Sequence, residues 1–210
     1  MKKIKIEGAS LGMLATNCYF IVDTELNEVV IVDPADEAEA IKNWCQNNGL
    51  EPVLILLTHG HYDHMLAAEA LREAFSIHIC AAAAEKELLE NASYNLSAMW
   101  SSPVTLKADD FAKDGDVIRM LGTDIEVIAT PGHTAGGVCY YLKEEGVLFS
   151  GDTLFAGSYG RTDFPTSSMS ELAHSIREKL LVLPEETLVY PGHGEATTIG
   201  YAKQYNPLSR

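Results

Sequence analysis

The stretch Thr58-His59-Gly60-His61-Tyr62-Asp63-His64 puts four ligand-type side chains within six residues, immediately after the apolar run Val53–Leu57. A fold built on this chain must bring a buried strand to an abrupt end at a polar turn and satisfy three imidazoles and a carboxylate there. In an extended turn, residues two apart point the same way, so His59 and His61 can grip one ion. Gly60 between them allows a sharp bend, and Asp63 and His64, beyond the turn, can face a second ion. The spacing differs from the helical His-Glu-x-x-His pattern, whose histidines stand four apart. The plainer alternative is a polar loop entering a helix, with Asp63 or His64 as its cap.

Three more positions share that context. Ile128-Ala129-Thr130-Pro131-Gly132-His133 and Leu188-Val189-Tyr190-Pro191-Gly192-His193 are each an apolar strand, a Pro-Gly turn and a histidine, and Asp152 follows the apolar run Val147–Ser150. Singly these are ordinary turns. Together they all stand directly after an apolar strand, where α/β sheets gather functional groups. The ligand count then closes. His59, His61 and His133 offer three nitrogens to one ion, Asp63, His64 and His193 serve another, and Asp152 can bridge both, leaving each ion a position for a shared water. Imidazole and carboxylate without thiolate suit zinc first, and also iron or manganese. Asp63 and Asp152 are thereby expected as catalytic carboxylates as well as ligands of two divalent ions. His78 and His174 have no such neighbours and are expected to be structural or at the surface.

Around these motifs, strands alternate with helices. Cys18–Val22 and Val29–Val32 read as paired strands, Pro52–Leu57 as a buried strand, Ile77–Cys80 as a short one and Thr187–Tyr190 as the last clear one. Asp36–Asn48 carries Ala38, Ile41, Trp44 and Cys45 on one face with Gly49 at its end, which reads as a helix. Met65–Phe75 and Ala84–Asn91 also read as helices. Val117–Leu121 and Asp124–Thr130 form a hairpin about Gly122-Thr123, followed by strands at Gly137–Leu142 and Val147–Ser150. A further helix starts at the capping box Ser168-x-x-Glu171 and stops before Pro184. Residues 92–116 give no clear pattern. Two similar αβ halves predict an α/β sandwich, two packed sheets with helices on the outer faces.

At 210 residues, with 47% hydrophobic and 21% charged side chains, the chain fits a single domain over 1–210 with a real core. No stretch approaches the ~20 apolar residues of a membrane span, and no apolar run follows the basic start as in a signal peptide; a cytoplasmic protein without a membrane partner is expected. Cys18, Cys45, Cys80 and Cys139 are widely spaced and read as buried small hydrophobes. A formal net charge of −15 repels phosphate backbones, so nucleic acid is not an expected partner. The oligomeric state is not legible.

The His-x-His-x-Asp-His run, the later Gly-His, the Gly-Asp after a strand and the final Pro-Gly-His resemble the metallo-β-lactamase superfamily, and within it the glyoxalase II-like hydrolases. The resemblance spans Thr16 to Pro207 and includes Thr16-Asn17-Cys18-Tyr19, Val32-Asp33-Pro34, Gly151-Asp152-Thr153-Leu154-Phe155 and Thr197-Thr198-Ile199-Gly200. It implies an αββα fold of two packed mixed sheets, two zinc-type ions, and hydrolysis of a small-molecule thioester by a hydroxide bridging the ions. By the same resemblance Asp33 supports the ligand loop, although an Asp before Pro34 also suits a plain turn. Arg161, in Gly160-Arg161-Thr162-Asp163-Phe164, stands where glyoxalase II enzymes carry a basic substrate-contacting residue; a structural salt bridge is the alternative. Two departures stand out: Met65-Leu66-Ala67-Ala68 replaces a glycine-containing stretch, and Ala202 stands where an acidic residue is frequent.

Three rivals accompany that reading. A persulfide dioxygenase with one iron shares the Arg-Thr-Asp-Phe stretch but tends to read His-Asp where this chain has His193-Gly194. A β-lactamase uses other residues where Asp152 would bridge. A non-catalytic metal-holding interaction domain would need a closed site. The chain ends 17 residues after His193, which predicts the short form without a C-terminal helical domain and leaves Lys203 and Arg210 as the tail's cations for a carboxylate-bearing thiol carrier.

Overall fold

The structure, a computed structural model, describes residues 3–100 and 102–210. A first mixed sheet holds, in spatial order, β1 (Ile4–Leu11), β2 (Thr16–Asp23), β3 (Glu28–Val32), β4 (Glu51–Leu56), β5 (His78–Ala82) and β6 (Asp110–Ala112). Its first three strands are antiparallel neighbours and its last three run parallel to β3. Helices α1 (Ala38–Asn47) and α2 (Ala68–Phe75) supply the crossovers that parallel strands require. Short helices α3 (Lys86–Leu89) and α4 (Ser97–Trp100) precede β6.

The second sheet runs, from one edge to the other, through β7 (Val117–Met120), β8 (Thr123–Ala129), β9 (Val138–Leu142) and β10 (Val147–Gly151) to β13 (Leu188–Pro191) and β14 (Thr197–Thr198). A small ribbon, β11 (Leu154–Phe155) with β12 (Ser158–Tyr159), leaves the end of β10. Helix α5 (Met169–His174) continues as a π-helical segment, Ser175–Leu180, and α6 (Ile199–Tyr205) closes the chain. The Ser168 hydroxyl caps α5 by accepting from the Glu171 N–H.

Strand residues alternate between two apolar layers, which is why the strands read as unbroken hydrophobic runs. On β2, Cys18, Phe20 and Val22 face α1 and α2, while Tyr19 and Ile21 face the other sheet. On β9, Tyr140 and Leu142 meet that shared interior, and Cys139 and Tyr141 pack with Leu172, Ile176 and Ile199 of α5 and its continuation and α6. The order is helix, sheet, sheet, helix, as expected. All four cysteines are buried and unpaired.

Several expectations shift by a residue or more. The β7–β8 hairpin turns on Leu121-Gly122, with Met120 opposite Thr123, because both turn residues adopt positive φ (56° and 61°), as a two-residue hairpin demands. Helix α2 begins at Ala68 rather than Met65, because Tyr62–His64 form a separate 3₁₀ turn. No positive φ occurs from Met65 to Ala68, so the missing glycines cost no backbone freedom. Strands β1, β6, β11, β12 and β14 have no counterpart in the sequence reading.

Candidate metal centre

Four loops converge on one spot, each leaving the C-terminal end of a strand: β4 in the first sheet and β8, β10 and β13 in the second. The two sheets are tied there by a bridge between Thr16 and His193. Three glycines make the convergence sterically feasible. A Cβ on Gly132 (φ 142°) would sit 2.3 Å from the Leu172 backbone, and one on Gly151 (φ 47°) 2.4 Å from Thr58 Oγ1. A Cβ on Gly192 would stand 2.2 Å from Asp152 Oδ1. In each case the small residue lets the ligand after it reach the centre.

His59, His61, His64 and His133 are buried, whereas the side chains of Asp63, Asp152 and His193 remain partly open to solvent. Nε2 of His59 lies 3.1 Å from Nδ1 of His61, which is 3.0 Å from Nε2 of His133. Nε2 of His64 is 3.6 Å from Asp63 Oδ2, and Nε2 of His193 is 3.4 Å from the same oxygen. Asp152 stands between the two groups: Oδ1 lies 3.5 Å from His64 Nε2, and Oδ2 lies 3.5 Å from His133 Nε2 and 3.6 Å from His193 Nε2. The seven candidate ligands of the sequence reading are thus gathered in one cluster. His78 and His174 are exposed and lie outside it, His78 paired with Asp110 at 2.7 Å.

Outer contacts fix how the rings face. Asp33 Oδ2 lies 3.0 Å from His64 Nδ1 and accepts from the Thr58 hydroxyl at 2.6 Å, while Oδ1 accepts from the Thr58 N–H at 2.7 Å. The carbonyl of Arg161 stands 2.8 Å from His133 Nδ1. Thr16 Oγ1 donates to Asp63 Oδ2 at 2.8 Å. Asn17 donates from Nδ2 to the carbonyls of Pro191 and Gly194, pinning the turn that carries His193.

The electrostatics divide the imidazoles into two sets. Burial, reinforced by neighbouring imidazoles, holds His59 and His61 well below the ordinary histidine range, and burial also lowers His133. Burial opposes protonation of His64 as well, but Asp63, Asp152 and Asp33 together push it up to about 10. Asp63, despite burial, is held far below the usual carboxylate range by His64, His193 and Thr16.

These residues fit a pair of divalent ions. Three buried ring nitrogens meet at 3.0–3.1 Å, and burial favours the neutral form of their rings, the form that binds a metal. Two nitrogens on a tetrahedral zinc at ~2.0–2.1 Å stand roughly 3.3 Å apart, close to the spacing found. Buried Nε2 of His64 and Oδ1 of Asp152 have no hydrogen-bond partner, an arrangement that costs free energy unless something else satisfies them.

One residue that ties the ligand loops together escaped the sequence reading. Glu85, buried between β5 and α3, accepts from the Gly60 N–H with Oε2 and from the Gly136 N–H with Oε1, both at 2.7 Å. It joins the loop of His59 and His61 to the loop that follows His133. Its only sequence signal is a carboxylate closing a run of four alanines, Ala81–Ala84.

The cluster opens into a cavity of about 410 Å³ lined by Leu14, Leu96, Trp100, Phe155, Tyr159, Phe164 and Arg161 beside the ligands. Arg161 lines the cavity and pairs with Asp163 through two nitrogens at 2.9 and 2.7 Å, which is the salt bridge of the alternative reading. Lys203 and Arg210 do not line the cavity. Lys203 is held at Leu183 and Glu185.

Comparison with known proteins agrees with this geometry. A family model, Metallo-beta-lactamase superfamily, matches residues 11–193. The chain is 39% identical over 200 residues to Probable metallo-hydrolase YqgX of Bacillus subtilis, covering 94% of each. It is 36% identical to Hydroxyacylglutathione hydrolase GloC of Haemophilus influenzae over 98% of each chain. Among solved structures, BLEG-1 B3 metallo-beta-lactamase superposes with a TM-score of 0.93 at 39% identity, covering 98% of this chain and 99% of that one. No helix among the described residues is long and apolar enough to cross a membrane.

Proposed function

The chain belongs to the metallo-β-lactamase superfamily, and on that premise we propose that it hydrolyses thioesters at a binuclear metal centre, in the manner of a hydroxyacylglutathione hydrolase. His59, His61 and His133 would hold one ion and Asp63, His64 and His193 the other, with Asp152 available to both. The observation that carries the reading is Asp152, whose two oxygens reach toward both ligand groups at 3.5–3.6 Å in a site that opens to a cavity. Likeness to the Haemophilus hydrolase over nearly the full chain supports the thioester.

Two divalent ions at such a site lower the pKa of water and polarise a carbonyl. The chain's own residues do the positioning. Asp63, fixed at Oδ2 by Thr16, faces the cavity and orients an incoming water by accepting its hydrogen bond. Phe155, Tyr159 and Phe164 wall the cavity against bulk solvent, which strengthens every polar interaction inside. Arg161 stands at the edge as a contact for the substrate, stacked 4.4 Å over Phe164.

An assay panel beside elemental analysis tests this. Hydrolysis of thioesters, with two ions per chain and no oxygen uptake, is the expected outcome. One iron per chain with oxygen uptake on a glutathione persulfide would replace it with a persulfide dioxygenase. Turnover of nitrocefin with no thioester turned over would replace it with a β-lactamase, an arm that the likeness to BLEG-1 calls for.

A further inference from the structure

The cavity beside the ligand cluster is built for an apolar guest. Leu96 and Phe164 line its wall, Phe155 and Tyr159 line it from the side of the β11–β12 ribbon, and Leu14 and Trp100 stand at its mouth. The mouth extends as a second cleft, again bordered by Leu14 and Trp100 and reaching Met13, Leu66 and Leu11. Met13 is 98% exposed, Trp100 65% and Leu14 52%. Large apolar side chains left bare around one opening mark a surface that meets apolar matter.

The charges say the same. Among the described residues Arg161 is the only lysine or arginine lining the cavity, and Asp163 already takes two of its nitrogens. Among the described residues no second cation lines the cavity to complete the positioned basic pair that best holds a carboxylate-bearing peptide carrier. At a formal net charge of −15, the chain as a whole also disfavours the approach of an anionic carrier.

Resting on the thioesterase reading, we propose that the physiological substrate is a thioester of an apolar acyl group, of medium chain length or aryl, whose acyl end packs against Leu14, Leu96 and Trp100, and whose thiol carrier is not read through carboxylates. Water adds its oxygen to the carbonyl carbon and the carbon–sulfur bond breaks. The products are a carboxylate, a thiol and one proton, with no change of oxidation state.

The test uses the protein with its metals as purified. Acetyl, butyryl, hexanoyl and phenylacetyl thioesters of N-acetylcysteamine are compared with S-lactoylglutathione and S-hexanoylglutathione. Four further methylenes, half buried, correspond to roughly tenfold, so kcat/KM should rise at least fivefold from acetyl to hexanoyl, mostly through KM. The two hexanoyl esters should agree within about threefold. Trp100→Ala and Leu14→Ala should each shrink the hexanoyl-to-acetyl ratio by at least half. A binding measurement stands apart from turnover: N-acetyl-S-hexylcysteamine, a thioether that cannot be hydrolysed, should shift the tryptophan emission to the blue, and Trp100→Phe should abolish that shift. A hexanoyl-to-acetyl ratio below fivefold, or S-lactoylglutathione preferred over hexanoyl-N-acetylcysteamine, overturns the proposal while leaving the thioesterase intact. If no thioester is turned over, the functional reading falls, and the thioether titration alone then decides whether the cavity takes apolar chains.

Discussion

Asp33 and His64, 31 residues apart, meet at 3.0 Å between Oδ2 and Nδ1 with both side chains buried. The contact fixes which ring nitrogen of His64 faces Asp63 and Asp152, as buried partners of metal ligands do. Asp33 adopts φ 50°, a conformation that asparagine tolerates, so Asp33→Asn keeps the turn while removing the charge and the acceptor that faces His64 Nδ1 and the Thr58 hydroxyl. Metal affinity at the Asp63–His64–His193 group should fall ~10–100-fold, read by competition with a chelating dye. An unchanged affinity would make Asp33 no more than a turn residue.

Asp152→Ala removes the one carboxylate that reaches both ligand groups. Elemental analysis should then find fewer than two ions per chain, and activity should drop by orders of magnitude, because a bridge holds two ions at the ~3.5–4 Å spacing of two-metal chemistry. Full activity with a single tightly held ion would sink the bridging role.

Glu85→Ala leaves the buried N–H groups of Gly60 and Gly136 without acceptors. Each orphaned donor costs about 1–3 kcal/mol, so urea unfolding of the metal-free protein should show a loss of roughly 2–5 kcal/mol. The His59–His61 and His133 loops also lose their common tie, so the ion between them should be held more weakly. Glu85→Gln, which keeps one acceptor, should lie between wild type and Ala in both measurements. Equal metal affinity in all three would confine Glu85 to folding.

Stripped of metal, the protein should resist urea best near pH ~6.5, the ordinary histidine pKa. His59, His61 and His133 are lowered in the fold. The unfolded chain therefore binds protons that the folded one refuses, and stability falls as pH drops below that value. His64 works the other way. Raised to about 10, it contributes fully below ~6.5, and its contribution is lost as pH rises toward 10. His193, also raised in the fold, steepens the alkaline side. A urea midpoint that stays flat from pH 5 to 10 would contradict this division of the cluster.

The candidate ligands and the layers were legible in the chain alone. His59, His61, Asp63, His64, His133, Asp152 and His193 were legible because each follows an apolar run that can only be a buried strand, and a strand end fixes where the next residues go. Helices α1 and α2 and the paired strands were legible from periodicity, which is local. The short edge strands β6 and β14 were not, since two or three residues carry no period, and β1, alternating Ile4 and Ile6 with Lys5 and Glu7, presents only a weak apolar face.

Tertiary structure alone decided which distant groups meet. Nothing in the chain pairs Glu85 with Gly60 and Gly136, or Thr16 with Asp63, because a hydrogen bond between residues 25, 51 or 47 apart leaves no spacing signature. The tail cations show the same limit: α6 holds Lys203 at Leu183 and Glu185, and it does not line the cavity. Leu14 and Trp100, unremarkable in sequence, come together at the mouth of the site because the β1–β2 turn and α4 close over the same strand ends. Side-chain chemistry is written residue by residue, but the company each side chain keeps is set by how two sheets pack, and that depends on the whole buried interior at once.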